Sequence, residues 1–167
     1  PSERRNFGGV WHSDQPYLSH PPIATTLRAL EVPAVGGDTL FANMYVAYET
    51  LSDGLRASLE GRRALNSADV SGKGRKRGGY QAVQSTDVDP TLVTAVHPVV
   101  RVHPETGRKL LYVNGVHTKH FEGMSVEDSR PRLRFLSDHA VRPEHTCRVR
   151  WKPGMLTIWD NRCTQHM

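Results

Sequence analysis

Cysteine is scarce: Cys147 and Cys163 are the two in a chain of 167 residues. Two residues that far apart exclude a disulfide framework and a zinc knuckle, and they read instead as small apolar residues packed in the interior. No apolar run approaches the roughly 20 residues that a membrane-spanning helix needs, and no charged-then-apolar leader opens the chain. These absences predict a cytoplasmic protein with no membrane partner. No internal repeat or interdomain linker is visible, so the length suits a single domain over 1–167 with one real core.

What is present is the composition of a globular chain, 37% apolar and 23% charged. Net charge is +5, and the sharpest basic run places Lys73, Arg75, Lys76 and Arg77 among Gly72, Gly74, Gly78 and Gly79. No aromatic residue interleaves those charges and the glycines resist order. The run therefore reads as a solvated loop, and no nucleic-acid partner is expected.

Residues 24–31, "ATTLRALE", form a β-compatible run that "PAVGG" separates from "DTLFAN", which predicts a β-hairpin. Asn43 is placed to cap a first helix and Asp53 a second, with Val46, Leu51, Leu55 and Leu59 at helical intervals and Gly61 as the stop. The polar, Gly-rich segment 66–92 predicts a long loop, with residues 68–88 as a candidate lid. Strands at 94–103 and in "KLLYVN" flank the turn "PETGR", and Ser125 opens a helix that runs to about Val141. The segment "HTCRVRWKPGMLTIWDNRCTQH" reads as two strands around Lys152, Pro153 and Gly154. The sum is a mostly β protein with flanking helices, a sandwich or barrel.

His12 and Asp14 stand two apart in "WHSDQ", and on a strand that spacing turns both side chains to one face. One more histidine would complete a facial triad of two imidazoles and a carboxylate, which leaves Fe(II) open positions for a chelating co-substrate and dioxygen. Alone the pair says little, because nine histidines in this chain make such spacing unremarkable. Trp11 and Trp159, beside the candidate ligands, read as packing residues.

Four segments carry a larger pattern: "WHSD" (11–14), "PAVGGDTLFANMYVAYETL" (33–51), "HPVVRVHPETGRKLLYVN" (97–114) and "WDNRCTQH" (159–166). In this order and spacing the chain resembles the TauD/TfdA (taurine dioxygenase) family of Fe(II)- and 2-oxoglutarate-dependent oxygenases. The resemblance implies a double-stranded β-helix (jelly roll) in which His12, Asp14 and His166 bind Fe(II) and Thr39 contacts a carboxylate of 2-oxoglutarate. It also implies O2 as oxidant, succinate and CO2 as co-products, and a small anionic substrate of sulfonate, sulfate ester or aryloxyalkanoate type.

Tyr17, Asn114 and His117 correspond to pocket-lining positions. The retained Asp14 favours hydroxylation, since related halogenating oxygenases carry a small residue at that ligand position. Where taurine-specific members carry an asparagine shortly before the first ligand, this chain has Gly8, which argues against taurine itself. The family's co-substrate arginine lies beyond the distal histidine, and the chain as given ends at Met167. The natural polypeptide is therefore expected to continue at both ends. A catalytically silent, metal-binding β-helix protein is the alternative, and assembly as a homo-oligomer is compatible with either.

Overall fold

The structure, a computed structural model, describes residues 9–69 and 93–167. Its first two strands, β1 (Ala24–Arg28) and β2 (Thr39–Asn43), do not pair with each other. β1 runs antiparallel to β9 (Leu156–Asp160), with Thr25 opposite Trp159. β2 instead lies between β10 (Thr164–His166) and β8 (Thr146–Val149), antiparallel to both. The hairpin expected from "ATTLRALE" and "DTLFAN" is thus corrected. Gly36 and Gly37, with φ of +79° and +78°, turn the chain from one sheet into the other.

The physical reason is burial across the sheets. The Phe41 ring from β2 packs 5.3 Å from the Trp159 ring of β9, and His166 of β10 lies 4.8 Å from the same indole. Phe41 and Trp159 belong to strands of different sheets, so these ring contacts are made between the two sheets rather than along one. The C-terminal segment likewise holds three strands rather than two. The turn at 152–154 joins β8 to β9, which belong to different sheets, because each finds its partner in the N-terminal half. The two facing sheets, with helices outside them, make the jelly roll that the pattern implied.

A second layer supports this one. β3 (Arg63–Ser67) pairs with both β4 (Thr94–Pro98) and β7 (Thr118–Phe121), so it occupies the start of the segment expected to be loop. The lid candidate from residue 70 onward, with its basic run, lies outside the described residues. The strand expected over 94–103 is divided at Val99 into β4 and β5 (Val100–Val102). Val99 donates its N–H to the Arg62 carbonyl and accepts from the Tyr112 N–H. β5 then forms the expected hairpin with β6 (Lys109–Leu111).

Helix α1 (Met44–Glu49) is too short to persist on its own. Asn43 Oδ1 caps it, accepting from the N–H groups of Tyr45 at 3.0 Å and Val46 at 3.3 Å, and its Met44, Tyr45, Ala47 and Tyr48 side chains are buried. In α2 (Asp53–Leu59) the N-cap position falls on Ser52 rather than Asp53, without a side-chain cap hydrogen bond. Asp53 sits instead in the first turn, where a negative charge favours the helix dipole.

Ser125 caps α3 (Val126–Ala140) as expected. Ser129 of α3 accepts the Phe121 N–H at 3.0 Å and so ties the helix to β7. Leu133, Leu136 and Ala140 complete the core with Phe121, Leu110 and Leu111. The cysteines do not both join it: Cys163 packs at its margin, but Cys147 is exposed on β8. Among the described residues no helix is long and apolar enough to cross a membrane.

Leu136 is 2% exposed at the centre of this packing. Leu136→Ala is expected to cost about 2–5 kcal/mol, read in urea as a lower midpoint at unchanged slope.

Candidate metal centre

His12 lies outside any regular strand, paired with His166 in an isolated antiparallel bridge. The His12 N–H donates to the His166 carbonyl at 3.0 Å, and the His166 N–H returns to the His12 carbonyl at 2.8 Å. The chain then bends at Asp14, and Gln15 takes a φ of +49°. Sharing one face of a strand therefore does not explain why His12 and Asp14 converge, a correction to the spacing argument. The bridge and the bend do.

Their donor atoms meet those of His166. His12 Nε2 and His166 Nε2 each stand 3.7 Å from Asp14 Oδ1, the imidazole centroids are 4.3 Å apart, and one ligand atom from each residue lies within 4.8 Å of the others. Separations of 3.7 Å exceed hydrogen-bond reach, so the three donors face one another without saturating one another. His12 Nδ1 lies 2.8 Å from the Val10 carbonyl. A ring proton on Nδ1 meets that carbonyl, which turns Nε2 toward the cluster.

Phe41 and Trp159 wall His166 on its apolar side. Burial, with the neighbouring His12 charge, lowers the His166 pKa to about 4, outweighing the opposing pull of Asp14. At neutral pH this ring is an uncharged donor. His166 Nδ1 is buried without a hydrogen-bond partner among the described residues.

Asp14 is held from behind by a residue that its sequence gave no reason to single out. The Thr25 hydroxyl donates to Asp14 Oδ2 at 2.6 Å and in turn accepts from Asn161 Nδ2 at 2.8 Å. Asn161 belongs to the quoted "WDNR", so that motif was the one available signal for it. The same motif's Asp160 and Arg162 face away from the cluster. Burial pushes the Asp160 carboxyl up, but hydrogen bonds from Arg162 and His103 prevail and hold it at about 2. Arg162 also reaches Glu105 at 2.8 Å, which locks the β9–β10 turn against the β5–β6 hairpin. A second group of donor atoms, His103, Asp160 and Cys163, has its carboxylate already neutralised by that arginine.

The remaining expected positions fall into two places. Thr39 starts β2, two residues before Phe41, and its Oγ1 accepts from Trp151 Nε1 at 3.0 Å. It opens onto a cavity of about 390 Å³ lined also by Leu27, Arg28, Gly37 and Trp151. Tyr17 and His117 pack edge to face at 5.1 Å. Asn114 Oδ1 accepts from the N–H groups of Val116 and His117 at 3.1 and 2.8 Å and so shapes the turn that carries His117.

The His166 pKa sets a pH dependence. The folded chain gives up this proton at about 4, while an ordinary imidazole does so at 6.5. Between those values the unfolded state binds more protons, so this residue's contribution is full above the upper value and lost as pH falls toward the lower. The urea midpoint of metal-free protein is expected to fall over that window, and to fall less for His166→Gln. Burial also lowers His97 and His139, which makes the difference between variant and wild type the quantity to measure.

The family model described as "Taurine catabolism dioxygenase TauD, TfdA family" matches residues 1–167. An alpha-ketoglutarate-dependent 2,4-dichlorophenoxyacetate dioxygenase of Cupriavidus pinatubonensis is 38% identical over 166 residues, covering 96% of this chain and 55% of the relative. A taurine dioxygenase from Burkholderia xenovorans superposes with a TM-score of 0.80 at 36% identity, covering 95% of this chain and 50% of that one. The structure of AAD-2 in complex with Mn(II) and N-oxalylglycine gives a TM-score of 0.82 at 34% identity, covering 95% and 60%. The chain spans about half the length of the relatives it matches. With the full-length family match, the convergent histidines and carboxylate, and the two opposed sheets, this chain belongs to the TauD/TfdA family.

Proposed function

We propose that the protein is an Fe(II)- and 2-oxoglutarate-dependent dioxygenase that hydroxylates a small organic acid of sulfonate, sulfate ester or aryloxyalkanoate type, releasing succinate and CO2. The observation that carries this reading is the meeting of His12 Nε2, His166 Nε2 and Asp14 Oδ1 from opposite ends of the chain. Two imidazoles and a carboxylate suit Fe(II) and leave part of its coordination sphere for other ligands. The Mn(II) and N-oxalylglycine bound to AAD-2, a protein of similar fold, support a divalent metal with a 2-oxo-diacid beside it.

In this reading His12, Asp14 and His166 hold the metal, whose bound chemistry with 2-oxoglutarate and O2 is the oxidation of a substrate C–H bond. The chain's other residues place the reactants. Thr39 already accepts from Trp151, so its own hydroxyl hydrogen is the one left to offer, and a carboxylate oxygen of 2-oxoglutarate would take it. Phe41 and Trp159 keep water from one side of His166. Tyr17 and His117, with Asn114 behind them, line the substrate side.

Asp14 supplies a carboxylate where a halogenating relative would need space, so hydroxylation is the outcome. The 2,4-dichlorophenoxyacetate and taurine named for relatives share one feature with sulfate esters. Each bears its heteroatom group on a carbon whose hydroxylation makes the molecule break apart.

The test is succinate formation by the full polypeptide with Fe(II), 2-oxoglutarate and a panel of sulfonates, sulfate esters and aryloxyalkanoates. Substrate-dependent succinate is expected, and its absence across the panel would favour a silent metal-binding protein. His12→Ala and Asp14→Ala are each expected to abolish stoichiometric Fe(II) uptake measured by equilibrium dialysis; retained uptake would remove the triad.

A further inference from the structure

Four polar side chains form an ordered line that ends on one oxygen of Asp14. Trp159 Nε1 lies 3.0 Å from Asn161 Oδ1, Asn161 Nδ2 lies 2.8 Å from Thr25 Oγ1, and Thr25 Oγ1 lies 2.6 Å from Asp14 Oδ2. The direction of every link is fixed by chemistry. An indole nitrogen only donates, so the Asn161 oxygen must be the acceptor and its amide nitrogen must face Thr25. Thr25 thus receives one hydrogen, and its single hydroxyl proton goes to the carboxylate, which only accepts.

The line is also anchored at its bends. Thr25 and Trp159 are register partners across β1 and β9, Asn161 is 2% exposed, and its backbone N–H donates to the Ile23 carbonyl at 2.9 Å.

We infer that Thr25 and Asn161 are positioning residues for the metal: they commit Asp14 Oδ2 to the Thr25 hydroxyl and so present Oδ1 alone to His12 and His166. This rests on the reading of those three residues as metal ligands. Without the hydroxyl the carboxylate is free to rotate about its last bond and to offer either oxygen or both. Second partners of this kind set ligand orientation and metal affinity.

The experiment is titration of the full, metal-free chain with Co(II), followed by its visible spectrum and by fluorescence competition, with thermal melting to confirm folding. Thr25→Val is expected to weaken Co(II) binding by about 10–100-fold and to change the d–d bands. Thr25→Ser, which restores a hydroxyl, should return both toward wild type. Asn161→Asp keeps the acceptor for Trp159 but removes the donor to Thr25, and it should give an intermediate loss; it carries the test if Thr25→Val does not fold.

Wild-type affinity and an unchanged spectrum in folded Thr25→Val or in Asn161→Asp would overturn the inference. A wild-type chain that takes up no Co(II) would overturn the metal centre itself, a result distinct from failure of the positioning line.

Discussion

Two backbone hydrogen bonds between His12 and His166 set the arrangement of everything around the candidate metal centre. They extend one sheet by a single residue beyond β10 and bring two imidazoles side by side from segments far apart in the chain. β10 can serve this purpose because successive residues of a strand face opposite ways. His166 turns toward the cluster while Gln165, 1% exposed, turns into the core, where its Nε2 donates to the Val113 carbonyl at 2.9 Å. The second histidine is therefore carried by a strand that the main core grips from behind.

The motif "WDNR" shows how closely polar work is divided between neighbours. Trp159 covers the ring of His166 and donates to Asn161. Asn161 points toward Thr25 and the carboxylate, while Asp160 and Arg162 face the other way and clamp the turn to His103 and Glu105. The acidic residue in this motif is thus spent on fixing backbone, and its low pKa reflects an arginine partner rather than a role at the cluster. An acid beside a candidate site is easily mistaken for a ligand, and here the carboxylate that meets the two histidines is Asp14, far away in the sequence.

The candidate site was legible through order and spacing of four segments, since His12, Asp14, His166 and Thr39 each sit inside a quoted stretch, and the structure brings the first three together. Local chemistry made the caps at Asn43 and Ser125 legible, together with the β5–β6 hairpin, because each involves residues close in the chain. What stayed hidden was non-local. β1 and β2 look like a hairpin by composition, but their partners lie more than a hundred residues away, and no periodicity records that. Thr25 reads as one more β-branched residue on a strand. Its tie to Asp14 exists only once β9 has brought Asn161 alongside. Ser52 was displaced as a cap by the more conspicuous Asp53 beside it, although either residue type can fill the position.

β2 has one further consequence. It is the middle strand of its sheet, yet both of its neighbours, β8 and β10, lie more than a hundred residues further along the chain. Such closure of long loops is entropically costly and slows folding of β-rich topologies. As the chain emerges in order, β2 waits with both edges open until β8 and β10 have followed it. The three donor atoms thus meet only after β10 has joined β2, and before that His12 and Asp14 stand without His166.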